Sequence, residues 1–341
     1  MTDKIEKICV RMPNWIGDAV MALPSLKAIR EHFQSAKLVV ATNSHCADIY
    51  RYADFRIDQL VVLEKRNVLG NSRKLRSFGF DIIIYFTNSF SSALEGFLAR
   101  IRQRIGYSTD SRGFLLTGKN IAPDGKTVDH HRLYYFNLVS KSFGVKNDPG
   151  IPILKTSVAP PKVLTNNGWI PKKPAIGINP GAAYGSAKRW LPERFTETAE
   201  HFIRKNYQIV IFAGKGGEAE TANIITDELP SAINMAGKTS LSELIELIAF
   251  CDLFLTNDSG PMHIASALGV PIVAIFGPTD PSSTSPSGGL YRIVTTNEPC
   301  SPCLKRECPL KHHNCMRHIS TNMVIEAFEE LERIGRDDKS S

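Results

Sequence analysis

The stretch CDLFLTNDSGPMHIASALGVPIVAIFG, residues 251–277, decides how the chain is read. An apolar run, Cys251–Leu255, breaks into Thr-Asn-Asp. A helical pattern opens at Ser259-Gly260-Pro261, and a second apolar run follows from Pro271. Apolar residues at consecutive rather than alternate positions belong to strands covered on both faces, the condition of a parallel sheet. The same alternation extends outward. AIGINPG (175–181) and QIVIFAG (208–214) are further strands, with helices predicted near 192–205, 217–228, 240–250 and 260–268. In the first half KICVRM, KLVVAT, QLVVL and DIIIYFT read as strands, and Leu26–Phe33 and Ser91–Arg102 as helices. The prediction is an α/β chain of two Rossmann-like domains facing each other across a cleft. Their expected limits are 1–165 and 172–320, with a boundary in the proline-rich segment 155–174 and a closing helix over 320–335.

Bulk composition is compatible with this. The chain has 341 residues, 43% hydrophobic and 22% charged, enough for two cores and too apolar for long disorder. No apolar run approaches the roughly 20 residues that span a bilayer, and MTDKIEK has no secretory pattern, so a cytoplasmic protein is expected. A net charge of +7 favours anionic partners: nucleic acid, phosphorylated substrates or an anionic membrane surface.

Ligands of open parallel sheets bind beyond the carboxyl ends of the strands. Three segments of the second half put polar groups there. In NPGAAYGSAKRW (179–190) the loop Pro180-Gly181-Ala182-Ala183 lets backbone N–H groups approach an anion, and Lys188 and Arg189 follow; a turn with two solvated cations is the plainer alternative. In the opening stretch, Asp258, Ser259 and Gly260 precede a helix whose free N–H groups and dipole suit a phosphate, with His263 one turn in. Asp258 as a simple cap and His263 as a core histidine remain the alternatives. FAGKGGEAET (212–221) misses a dinucleotide fingerprint because Ala219 stands where glycine is required, yet Glu218 lies where a carboxylate takes ribose hydroxyls.

In the first half RMPNWIGDAVMALPSLKAIREHF (11–33) places Asp18 where a helix begins, as a cap or as a reactive acid. FTNSFSSALEGFLARIRQRIGY (86–107) ends a strand in Asn88 and Ser89 and then supplies Arg100, Arg102 and Arg104, either a solvated face or a docking surface for an anionic acceptor. Cys300, Cys303, Cys308 and Cys315 have the spacing C-x2-C-x4-C-x6-C around His312 and His313. A C-x2-C pair suits zinc, whereas the irregular gaps and prolines suit buried thiols or local disulfides; the cluster is expected to be structural and remote from the substrates.

Taken in order, NWIGDAVMALPSL, NSFSSAL, NPGAAYGSAKRW and TNDSGPMHIASALGVPIVAIFGPTDP resemble the bacterial heptosyltransferases of lipopolysaccharide core assembly. Asn14–Asp18 and Asn88–Phe90 favour the enzymes acting second in that assembly over those acting first. The resemblance implies a GT-B fold with the acceptor in the N-terminal domain and ADP-heptose in the C-terminal one. It implies inverting transfer of heptose to the first heptose of the inner core. By motif, Asp18 becomes the general base and Lys188 the cation on the diphosphate. Asp258, Ser259, Gly260 and His263 line the phosphate side, Glu218 takes the ribose and Thr239 lies near the adenine. Ala183 and Tyr184 stand where related enzymes offer hydroxyls, so with Gly181 they are expected to present backbone N–H groups. Asn88, Ser89, Arg100 and Arg104 are expected at the acceptor. No Asp-x-Asp motif occurs, so no metal cofactor is expected for transfer. The implied partners are ADP-heptose and a Kdo–lipid A–heptose acceptor, with peripheral contact at the inner leaflet of the inner membrane and no nucleic acid. The rivals are another core heptosyltransferase of the same family, a nucleotide-sugar epimerase of GT-B fold, or a nucleic-acid-binding protein with a zinc module.

Overall fold

The computed structural model describes residues 5–123, 130–148, 150–157, 163, 166–170 and 172–340, excepting the side chains of 336–340. The chain divides into two compact units, 1–155 and 156–341. Part of the expected boundary segment lies outside the described residues.

The first unit holds a six-stranded parallel sheet of order β3-β2-β1-β4-β5-β6. Its strands are β1 (Lys7–Arg11), β2 (Lys37–Asn43), β3 (Gln59–Leu63), β4 (Ile82–Tyr85), β5 (Gln103–Tyr107) and β6 (Gly118–Asn120). The chain steps from β1 outward to β3, returns to the centre at β4 and then steps the other way. The carboxyl ends of β1 and β4 therefore border the point where strand order reverses, the place where such sheets bind ligands. The α-helices of this unit are α1 (Ile16–Met21), α2 (Leu23–His32), α3 (Val68–Phe78), α4 (Phe90–Leu98) and α5 (His131–Phe143), of which α1 after β1, α4 after β4 and α5 carry the site. Fully buried β1 and β4 side chains such as Ile8, Val10 and Ile84 explain the unbroken apolar runs of the sequence.

The second unit repeats the plan in the order β12-β11-β10-β7-β8-β9, again parallel. Here β7 is Ala175–Asn179, β8 Gln208–Ile211, β9 Ile233–Asn234, β10 Leu253–Asn257, β11 Ile272–Ile275 and β12 Tyr291–Val294. The reversal falls between β7 and β10, so the loops after Asn179 and Asn257 flank it. The helix Thr321–Ser340, expected to end near 335 as a separate closing element, belongs to this unit: Val324, Phe328 and Leu331 are part of its core with Trp190, Phe195 and Phe202. Among the described residues no helix is long and apolar enough to cross a membrane.

Candidate functional site

In the first unit, Pro13-Asn14-Trp15 carries the chain from β1 into α1. Asn43 at the end of β2 pins this loop, its Nδ2 donating to the Asn14 carbonyl at 3.2 Å, and Cys46 Sγ donates to the same carbonyl at 3.3 Å. The N-cap of α1 is Trp15, with no side-chain cap bond, and Asp18 sits in the first turn. Its carboxylate is gripped from α5: Tyr135 Oη donates to Asp18 Oδ1 at 3.0 Å, and His131 Nδ1 lies 3.3 Å from the same oxygen. The hydrogen bond to Asp18 holds the His131 pKa above its ordinary value against the opposing effect of burial. Burial and, less strongly, the Asp18 carboxylate beside it push Tyr135 well above the usual phenol range.

At the end of β4, Asn88 Nδ2 donates to Tyr134 Oη at 2.8 Å, and Ser89 caps α4 by accepting from Ser92 N. Beneath them is a residue absent from the sequence reading. Arg112 is fully buried; its Nε donates to the Tyr107 carbonyl at 2.9 Å and its Nη1 to the Ser89 carbonyl at 3.4 Å. Its guanidinium also lies 5.7 Å from the centre of the Tyr85 ring. It fixes the loop that presents Asn88.

Two expected acceptor residues are elsewhere. Arg100 is the exposed left-handed residue, φ 59°, that follows α4 and precedes β5. It therefore sits at the amino edge of the sheet, opposite Asn88 and Asp18. Arg104, near the start of β5, donates through Nε to the Leu115 carbonyl at 2.6 Å and through Nη1 to the Ile101 carbonyl at 2.5 Å. Its charge is committed to local backbone, and both assignments to the acceptor are corrected on this ground.

In the second unit Lys188 Nζ lies 2.5 Å from Asp258 Oδ2, and Thr279 Oγ1 donates to that oxygen at 2.7 Å. The lysine and aspartate side chains are only 12% and 6% exposed, so the pair is largely withdrawn from water. Asp258 thus holds Lys188 in place; a carboxylate turned toward a phosphate would repel it. Ser259 is the N-cap of the helix Gly260–Ala267 and is held by Asn179 Nδ2, which donates to Ser259 Oγ at 3.2 Å and to the Gly181 carbonyl at the same distance. Asn257 ties the two loops together, accepting from Trp190 N at 3.1 Å and donating to the Pro180 carbonyl at 2.8 Å. His263, 5% exposed, is buried one turn into the helix.

Glu218 accepts from the Gly214 N–H at 3.1 Å. A Cβ at Gly181 would come within 2.8 Å of Glu218 Cδ, and one at Gly214 within 2.6 Å of its Oε2. The two glycines thus leave the space that this carboxylate fills. Thr239, half-buried, precedes Ser240, whose side chain and Glu243 form a capping box on the helix Leu241–Ile248. Ala183 is exposed. Tyr184 does more than present its backbone: its hydroxyl donates to the Leu304 carbonyl at 3.1 Å, and its ring centre lies 4.8 Å from Lys188 Nζ and 5.2 Å from the Arg306 guanidinium.

These contacts correct the expectation that the cysteine loop is remote. A Cβ at Gly185 would meet the Arg306 carbonyl oxygen at 2.2 Å; Ala187 N donates to that oxygen at 3.0 Å, and His313 Nε2 lies 2.9 Å from the Ala187 carbonyl. The loop is therefore the wall against which Lys188 is built. Cys300, Cys303, Cys308 and Cys315 line one small cavity with His312 and His313, all four as free thiols. Among the described residues no three His, Cys, Asp or Glu side chains are arranged to hold a metal ion. The His313 N–H, donating to Cys308 Sγ at 3.4 Å, and neighbouring backbone N–H groups hold that thiol below its ordinary pKa.

Two parallel-sheet units, each with polar residues gathered where strand order reverses, define a GT-B architecture. Comparison with known proteins narrows this. The family model of glycosyltransferase family 9 (heptosyltransferase) matches residues 69–314. The chain is 32% identical to lipooligosaccharide heptosyltransferase 2 of Campylobacter jejuni, over 95% of this chain and 99% of that one. It is 28% identical to lipopolysaccharide heptosyltransferase 2 of Escherichia coli K12, over 95% and 98%. The solved E. coli ADP-heptose LPS heptosyltransferase II superposes with a TM-score of 0.83 at 26% identity, covering 95% of this chain and 98% of that one. The chain belongs to glycosyltransferase family 9, the heptosyltransferases.

Proposed function

We propose that the chain transfers heptose from ADP-L-glycero-β-D-manno-heptose to the first heptose of the lipopolysaccharide inner core, inverting the anomeric carbon. The observation that carries this is the Lys188–Asp258–Thr279 cluster beside the helix starting at Gly260, in a chain similar along nearly its whole length to relatives named for the second heptose transfer. Departure of ADP concentrates negative charge on the diphosphate. A lysine already fixed in position and a helix N-terminus offset that charge without reorganisation. Glu218 takes the ribose, with Thr239 toward the adenine. Asp18 receives the proton of the acceptor hydroxyl, and Asn88 and Ser89 orient the acceptor. The cation on Lys188 does the work that a bound metal does in other transferases, so no cofactor is assigned. Net charge +7 suits a phosphorylated Kdo–lipid A–heptose acceptor approached from the cytoplasm at the inner leaflet.

The test is ADP release from ADP-heptose with a monoheptosylated core acceptor, compared with the same acceptor lacking heptose. Release only with the heptosylated acceptor supports the reading. Release with the unheptosylated acceptor means a first-heptose enzyme, and release without any acceptor means a different reaction.

A further inference from the structure

His131 and Tyr135 stand one helical turn apart on α5, so they share a face of that helix. Both reach one oxygen, Asp18 Oδ1. Tyr135 is 4% exposed, with its ring against Phe86 at 5.4 Å and Tyr134 at 5.6 Å, so the phenol that holds Asp18 is itself immobilised. His131 is different: its side chain is 47% exposed, and its ring lies 5.7 Å from that of Tyr134. The carboxylate thus has one fixed, uncharged donor and one solvent-reachable donor that can change charge.

We propose that Tyr135 and His131 are positioning residues for Asp18, both orienting the carboxylate and His131 also setting its charge environment, so that the transfer rate follows the protonation of His131. This rests on the reading of Asp18 as the base. In the transfer step the acceptor O–H bond breaks and its proton goes to Asp18, while the acceptor oxygen bonds the anomeric carbon. The bond from that carbon to the diphosphate breaks, and its electron pair leaves with ADP. Neither His131 nor Tyr135 gains or loses an atom in this balance.

A carboxylate beside an imidazolium is a weaker base than one beside a neutral imidazole. The hydrogen bond to Asp18 raises the His131 pKa above its ordinary value of about 6.5, against an opposing effect of burial. As pH rises through that raised value the positive charge is lost, Asp18 becomes more basic and turnover increases. Burial pushes the Cys46 thiol up to about 12 and holds Tyr50, Tyr134 and Tyr135 above the ordinary phenol value, so these four groups do not change charge over this range.

The experiment measures kcat against pH with ADP-heptose and monoheptosylated acceptor for wild type, His131→Ala, His131→Gln, Tyr135→Phe and Asp18→Asn, with thermal melting and ADP binding to establish folding. Wild type is expected to show a rise in kcat with an inflection above about pH 6.5. His131→Ala and Tyr135→Phe are each expected to lose about tenfold to a hundredfold in kcat with donor KM unchanged, the cost of a misplaced reacting group. His131→Gln keeps an amide that can donate to Asp18, so it should recover part of that rate while the inflection disappears. An inflection that persists in His131→Gln, or a kcat within about twofold of wild type for both His131→Ala and Tyr135→Phe, overturns the proposal. If Asp18→Asn retains turnover while His131→Ala abolishes it, imidazole is the base and the positioning role is wrong. If Asp18→Asn is inactive and the α5 variants are normal, only this inference fails; if all are normal, the reading of Asp18 fails with it.

Discussion

Removing Asp258 should damage stability and catalysis by separate routes, and a double-mutant cycle with Lys188 separates them. The two charges lie 2.5 Å apart with side chains 12% and 6% exposed, so neither is fully solvated when its partner is lost. A pair of unit charges 4 Å apart near a protein surface interacts by about 4 kcal/mol, and truncating one member of a buried pair costs about 3–5 kcal/mol because the other is stranded. Asp258→Ala strands Lys188 and also removes the acceptor for Thr279 Oγ1. Lys188→Ala leaves Asp258 with Thr279 still donating to it, so its loss should be the smaller of the two. The double variant strands no charge and should be more stable than the sum of the single losses predicts, by about 1–3 kcal/mol. Activity should behave differently. Lys188→Ala is expected to lose about 10²–10³ in turnover, and the double variant should recover none of it, because the cation that meets the developing diphosphate charge is still missing. Urea unfolding gives the first cycle and ADP release the second. Stability losses that add within about 0.5 kcal/mol, or a double variant faster than Lys188→Ala, would refute the argument.

Gly181→Ala places a methyl 2.8 Å from Glu218 Cδ, and since a side chain can swing aside more easily than backbone, the fold should survive while donor KM rises about tenfold or more; a KM unchanged in steady-state kinetics would remove Glu218 from the donor site. Gly185→Ala drives a methyl to 2.2 Å from the Arg306 carbonyl oxygen, so it should cost about 1–3 kcal/mol and weaken ADP binding together, by denaturant titration and calorimetry. The variant binding ADP normally would show that the cysteine loop is not the wall of the Lys188 site. The four thiols are expected to carry no zinc by elemental analysis, and transfer to survive chelator. One zinc per chain would show that the four sulfurs converge, and activity restored by magnesium would reveal an ion site outside this account.

Much of this was legible along the chain because parallel strands buried on both faces have no polar positions to blur them. Lys7–Arg11, Ile82–Tyr85 and Leu253–Asn257 stand where the apolar runs place them. The polar ends of β7 and β10 pointed to the site because nothing in a core asks for Asn-Pro-Gly or Asn-Asp-Ser there. What failed was short or charged. β9 has two residues, and β5 reads Gln-Arg-Ile-Gly-Tyr, so Arg104 looked like part of a cationic face instead of a strand side chain capping local carbonyls. Helix α5 went unread, and with it His131 and Tyr135, which lie 113 and 117 residues from Asp18 in sequence and meet it only through the fold. Arg112 was missed for a related reason: a buried arginine pinning a loop looks in sequence like any other surface cation. The cysteine loop was placed too far away because sequence distance from Lys188 says nothing about the contact of Gly185 with Arg306.

The central claim is that Asp18 takes the acceptor proton, and Asp18→Asn tests it most directly. Asparagine keeps the shape and an oxygen to accept from Tyr135, so the fold and ADP-heptose binding should be retained while the basic group is gone. With saturating ADP-heptose and monoheptosylated acceptor, kcat should fall by about 10²–10⁴ with donor affinity unchanged. A variant that binds donor normally and turns over within a few-fold of wild type would mean that the proton goes elsewhere.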